Sequence, residues 1–352
     1  MGDYERKNLI VLGAGASKEF NLPTGLELKK QIAGILDLRF SDWGTIENGD
    51  INLIDAFRNL SRQPESKSHE LDRYVHAARE ISKNMPLAPS IDNFLDTRKD
   101  DEVIIEVGKI AITKAILEAE ASCLLVPKRQ DGHIELAHDS LNHAWISQFF
   151  QILVAQRDFS GFLDAVRGIT FVSFNYDRCI HQYFAYAAKS YFGLNEYQVV
   201  EVIEALEILY PYGNVGDFSW SQGSTNFGAK ANGHSLMEIA GDLRTFTEGT
   251  GSETINTIKE RIGTADIIMF LGFGFLRLNM ELLIGNEEYD QKIVLATAKG
   301  LSENSRVQLM RELTATFPNR NFSRGVTVES NVRLLDRTCA DLIFEFHRYL
   351  SA

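Results

Sequence analysis

Cysteine is scarce in this chain. Cys123, Cys179 and Cys339 stand far apart along 352 residues. That excludes a disulfide framework and points to a reducing compartment, hence a cytoplasmic protein. Positive charge is also short: 36 Lys and Arg face 48 Asp and Glu, a formal net charge of −12. A surface built to bind nucleic acid needs clustered cations against phosphates, so direct nucleic-acid binding is not expected. No apolar run is both long and free of charge. The most apolar stretch, 103–119, carries Glu106, Lys109, Lys114 and Glu118, and reads as a soluble helix rather than a membrane span. The opening Met-Gly-Asp-Tyr-Glu-Arg-Lys lacks a signal-peptide pattern, and neither an internal repeat nor a low-complexity tract occurs. The length suits one large core or two domains.

The most informative segment is 8–25. An apolar strand at 9–12 runs into Gly13-Ala14-Gly15-Ala16-Ser17. Gly13 and Gly15 lack Cβ, so the backbone can bend sharply and a ligand can approach it. A short helix at 16–20 would turn its free N–H groups and positive dipole end toward a diphosphate. The bare alternative is a tight strand–helix turn without a ligand. A dehydrogenase fingerprint would continue with a third glycine near position 18, where Lys stands, so hydride transfer is disfavoured. Thr24 and Glu27 have the spacing of a capping box and open a helix to about residue 36.

From there to about residue 165 the pattern is mostly helical, with apolar residues at three-to-four spacing over 68–84, 102–122 and 134–156. The stripe Leu141, Trp145, Phe149 and Ile152 reads as core packing. Strand-like runs then recur at 169–174, at the end of 203–210, and at 265–272, 292–297 and 325–335, with a final helix over 336–350. Continuous apolar strands alternating with helices predict an α/β fold: a Rossmann-like parallel sheet with helices on both faces. The expected organisation is a first strand and phosphate-binding turn in 1–35, a helical insertion at 36–165, and the rest of the Rossmann-like domain in 166–352. Segments 213–234 and 246–256, rich in Gly, Ser, Thr and Asn, read as long loops.

Two segments carry a family resemblance. Gly13-Ala14-Gly15-Ala16-Ser17 followed by Leu22-Pro23 resembles the opening of the sirtuin-like (silent-information-regulator-like) NAD-binding family, and Ser173-Phe174-Asn175-Tyr176-Asp177-Arg178-Cys179-Ile180 resembles that family's T-x-N-Y-D-x-x-I segment. The resemblance implies that Asn175 meets the nicotinamide-side ribose and orients the attacking nucleophile, since an amide is no base. Phe270-Leu271-Gly272-Phe273-Gly274-Phe275 is similar to a turn that lines the adenosine ribose and phosphates in the family. In Leu209-Tyr210-Pro211-Tyr212-Gly213, Tyr212 stands where the family has its general-base His, and a phenol titrating near pH 10 is a poor base. Asp177, His181 and His234 are the candidate substitutes. A carboxylate stabilising an oxocarbenium-like state could also suffice. Ser90-Ile91-Asp92-Asn93-Phe94-Leu95 is similar to an I-D-x-F-L segment of defence-type members, although a helix N-cap at Ser90, with Asp92 favouring the first turn, accounts for it better.

The paired Cys-x-x-Cys zinc ribbon of protein-deacylating members is missing, so no zinc or other metal is expected and deacylation is disfavoured. The resemblance therefore implies a bacterial anti-phage NAD glycohydrolase producing nicotinamide and ADP-ribose. The alternative is a degenerate NAD- or ADP-ribose-binding regulatory subunit. Expected site residues are Asn175, Asp177 and Tyr212 for catalysis, with Gly13, Ala14, Gly15, Ala16, Ser17, Pro23, Asn175, Gly213, Gly272, Phe273 and Gly274 around the ligand. Because unrestrained NAD cleavage is toxic, a homo-oligomer or a complex with a HerA-like hexameric ATPase or another sensor is expected, with no membrane association.

Overall fold

The computed structural model describes residues 7–43, 45–130, 133–221, 224–225, 227–249, 253–285, 287–318 and 330–350. Six strands form one parallel sheet: β1 (Asn8–Leu12), β2 (Ile169–Ser173), β3 (Glu207–Leu209), β4 (Ile267–Leu271), β5 (Ile293–Thr297) and β6 (Val332–Leu335). Their order is β3-β2-β1-β4-β5-β6. This is a Rossmann-like α/β fold, and the strand order reverses between β1 and β4, where such sheets open a crevice. Every residue of β2 and β4 is buried, as a sheet covered on both faces requires. Leu12 lies opposite both Ser173 and Leu271. The chain therefore leaves three neighbouring strands at one level, as Gly13, Phe174 and Gly272.

The two-residue period of the strands sorts the core. Leu9, Val11, Val172, Ile268 and Phe270 join one apolar cluster with the helices Gly25–Ile35, Ile51–Arg62, Leu71–Asn84, Ile91–Asp96 and Glu102–Ser122. Ile10, Leu12, Phe171, Met269 and Leu271 join the other, with Trp145–Val154, Phe159–Arg167, Cys179–Phe192 and Cys339–Leu350. Each such buried aliphatic contributes roughly 1.5–3 kcal/mol. The helical segment between β1 and β2 is thus shared between the two faces of the sheet. Glu102–Ser122 is apolar nearly all round because it lies at the centre of its layer, against five other helices. Its Lys109 and Lys114 reach out to Glu248 and Asp50. Among the described residues, no helix is long and apolar enough to cross a membrane.

Three local expectations are corrected. The 134–156 stripe is not one helix: a short strand (His133–Glu135) and a single turn (His138–Leu141) precede Trp145–Val154. The break is fixed by Glu19, whose carboxylate accepts the Trp145 N–H at 2.7 Å and the Ala340 N–H at 3.1 Å, serving two helix starts at once. Segment 213–234 holds a two-residue hairpin (Trp220–Ser221 with Ser224–Thr225) and the start of a helix, Gly233–Gly241. Gly233 permits that helix, because a Cβ there would lie 2.6 Å from the Ala56 backbone nitrogen. Segment 246–256 likewise contains Phe246–Gly249 and the beginning of Glu253–Thr264. Of the strand expected at 325–335, 332–335 is present, and 325–329 lie outside the described residues.

Candidate functional site

The helix after β1 is Ala14–Lys18, five residues long. The turn that opens it packs backbone against backbone with the turn after β4. Gly13 N–H donates to the Leu271 carbonyl and Gly15 N–H to the Gly272 carbonyl, both at 3.0 Å. A Cβ on Gly13 would sit 2.6 Å from Gly272 O, and one on Gly15 2.7 Å from Gly272 Cα. The glycines are therefore required first by the approach of two turns of the protein. This changes the expected phosphate chemistry: Gly15 N–H is spent on Gly272, and Ala16 N–H on the Gly13 carbonyl at 2.9 Å. Phe275, just beyond, is a bulky residue at φ 51°. Such strain costs about 1–3 kcal/mol and concentrates at functional sites.

The turn after β2 is tied to the same place. Asn175 Nδ2 donates to the Gly13 carbonyl at 3.0 Å and to Ser17 Oγ at 2.9 Å. Ser17 in turn donates to Asp177 Oδ2 at 2.7 Å, while Asp177 Oδ1 accepts the Cys179 N–H at 3.1 Å. Sequence positions 13–17 and 175–177 thus form one network. It is a positioning network: both Asp177 oxygens are engaged, and that residue is buried. Cys123 and Cys179, distant in sequence, come together beneath it as free thiols, and burial pushes the Cys179 thiol well up.

A cleft of about 300 Å³ opens where these turns meet, at the lower end of small-molecule sites (about 300–1,000 Å³). Of the expected site residues, Gly13, Ala14, Gly15, Ser17, Pro23, Asn175, Asp177, Gly272, Phe273 and Gly274 line it. Ala16, Tyr212 and Gly213 do not. Ala16 is buried behind the turn, its carbonyl accepting Trp145 Nε1–H. Gly213 packs on Asp242, 2.3 Å from where its Cβ would be. Tyr212 is buried, donates to Asn279 Oδ1 at 2.8 Å, and packs edge-on to Phe174. Burial pushes its phenol far up, with Asp92 and Asp96 adding to the shift, so it stays protonated and is no base.

The histidines fare no better. His234 sits on the exposed side of Gly233–Gly241, 3.2 Å from Glu238. His181 stacks on Phe218 at 5.4 Å, away from the cleft lining, and its Nδ1 is buried with no hydrogen-bond partner among the described residues. Burial, then the nearby Arg178, drives its pKa down to about 4. An unfolded histidine titrates near 6.5, so on acidification the unfolded chain takes up this proton first. The stability held by neutral His181 is full above about pH 6.5 and is lost as pH falls toward 4, a loss of roughly 2–3 kcal/mol. His181→Phe should flatten that part of the stability profile in thermal melts between pH 7 and 4.5. Parallel wild-type and variant profiles would refute the assignment.

Sequence reasoning passes over two cleft residues, Asp92 and Tyr176. Ser90 does cap its helix, accepting the Asn93 N–H at 3.0 Å, and that is the signal that hides its neighbour. The Tyr176 hydroxyl donates to Asp92 Oδ1. Burial raises the Asp92 carboxyl above the ordinary carboxylate range, and the Tyr176 bond draws it partly back. Among the described residues lining the cleft there is no Lys, Arg or His. Its ionisable groups are two carboxyls and a phenol. Comparison with known proteins returned no matching family model, curated sequence or solved structure.

Proposed function

We propose that the cleft binds NAD and that the protein hydrolyses the bond between nicotinamide and ribose, releasing nicotinamide and ADP-ribose. One observation carries this reading: at the strand-order reversal, the 13–17 turn, Asn175 and the 272–274 turn converge on a cleft whose charged groups are acidic. A pyridinium ring and the oxocarbenium-like state that follows its departure are both cationic, and carboxylates stabilise such charge. Lys18, where a dehydrogenase turn has glycine, favours hydrolysis over hydride transfer. Restraint by self-association or by a sensor partner such as a HerA-like ATPase, in anti-phage defence, belongs to the same proposal and rests on the family resemblance alone.

A second reading, a binding subunit that leaves NAD intact, is favoured by the inward engagement of Asn175 and Asp177 and by the protonated Tyr212. Nicotinamide release and the heat of NAD binding, measured on the purified chain, separate the two. Gly274→Trp is the matched block, because Gly274 lines the cleft and a Cβ there meets nothing within 4 Å. The expected result is turnover and binding in the wild type, both lost in Gly274→Trp at unchanged melting temperature. Binding without release would establish the second reading, and neither would refute both.

A further inference from the structure

We infer that Asp92 is the general base of this cleft and that Tyr176 is its positioning residue. The inference rests on the glycohydrolase reading above. Asp177 is buried within the 13–17 network, with Ser17 and Cys179 on its two oxygens. Tyr212 and His181 lie outside the cleft lining. Asp92 differs from all three. It comes from the helical segment between β1 and β2, lines the cleft as a half-buried residue where Asp177 is buried, and accepts the Tyr176 hydroxyl on Oδ1, with Ser90 and its own backbone N–H also bonding the carboxylate. Tyr176 directly follows Asn175, so the hydroxyl that steers Asp92 and the amide that ties the 13–17 turn share one short piece of chain. The Tyr176 backbone is itself fixed, its carbonyl accepting the Val215 N–H at 3.0 Å.

The step balances without a further reagent. The C1′–N1 bond breaks, its electron pair going to the ring nitrogen and leaving as neutral nicotinamide. Water attacks the ribosyl cation at C1′ and gives its proton to the Asp92 carboxylate, which later releases it to solvent. A carboxyl raised by burial suits this task, because a base works best with a pKa near the working pH.

The ionisable groups around Asp92 are Tyr176 from the turn after β2, Tyr212 from the segment after β3, and Asp96 on its own helix, with Asp177 lining the same cleft. The helices Gly25–Ile35 and Glu102–Ser122 present Leu28 and Ile116, which carry no charge.

The test is NAD turnover against pH, with NAD affinity measured separately, for wild type, Asp92→Asn and Tyr176→Phe. Asp92→Asn keeps an oxygen for the Tyr176 hydroxyl and removes the basicity. The expected loss of kcat is about 100-fold or more, at unchanged NAD affinity. Tyr176→Phe removes the bond that lowers the Asp92 pKa, so the acid limb of kcat should move to higher pH. A purely structural role would not move that limb. Asp92→Asn within threefold of wild type, or a rise in KM with kcat intact, would overturn the inference and leave the glycohydrolase reading standing. A wild type that releases no nicotinamide would overturn both.

Discussion

Gly272→Ala should leave little or no folded protein. Gly272 sits at φ 59°, where a Cβ would lie 2.1 Å from the Ala16 nitrogen and 2.3 Å from the Gly15 carbonyl carbon. The left-handed backbone alone costs an L-residue about 1–2 kcal/mol. Overlap with the backbone of the helix Ala14–Lys18 costs more, and no rotamer change relieves it. Parting the turns sacrifices the hydrogen bonds of Gly13 to Leu271 and Gly15 to Gly272, about 1 kcal/mol each. The sum reaches about 4 kcal/mol or more, a large part of a domain's usual stability of about 5–15 kcal/mol. Gly274→Ala is the control. It lies two residues on in the same turn, its added Cβ meets open space, and its denaturation midpoint should match the wild type. Urea unfolding of both variants decides the matter. A wild-type midpoint for Gly272→Ala would mean that these turns are not packed backbone to backbone.

That cluster also shows how far the sequence can be read. Apolar runs ending in Gly13, Phe174 and Gly272 give away the sheet, because a strand buried on both faces must be apolar throughout. The capping box at Thr24 and Glu27 is legible for the same local reason: both partners lie within one turn, and both hydrogen bonds form. The purpose of the glycines is not legible. A Gly-x-Gly turn looks the same whether a ligand or the turn after β4 approaches it, and only the register of β1 against β4 shows that protein already occupies the space. Glu19 is invisible because its partners, Trp145 and Ala340, are 126 and 321 residues away. Asp92 is hidden because local capping chemistry explains its segment, whereas its place in the cleft depends on a hydroxyl 84 residues away. The glycine- and serine-rich segment 213–234 reads as loop on composition, yet Gly233–Gly241 is held by packing against two helices.

The second large effect is expected at Glu120 and Arg178, which join the centre of the helical layer to the turn after β2. Their side chains are 0% and 2% exposed and meet at 2.6 Å. The Glu120 carboxylate also accepts the Arg178 N–H and the Gly228 N–H, each at 2.9 Å. Attraction between such charges is largely offset by the cost of taking them out of water, so the pair as a whole adds little net stability. Removing one partner is different, because it strands the other charge in the core. Glu120→Leu or Arg178→Met should each cost about 3–5 kcal/mol. Removing both charges together, as Glu120→Leu with Arg178→Met, should cost less than the sum of the single changes by well over 1 kcal/mol. Denaturant unfolding of the four proteins gives the coupling directly, and additive losses, or single losses below about 1 kcal/mol, would show that the pair is not desolvated. Because Arg178 immediately follows Asp177 and precedes the Cys179–Phe192 helix, the single variants should also loosen the network of Ser17, Asn175 and Asp177. The neutral double variant, which strands no charge, should keep that network and any ligand binding that depends on it.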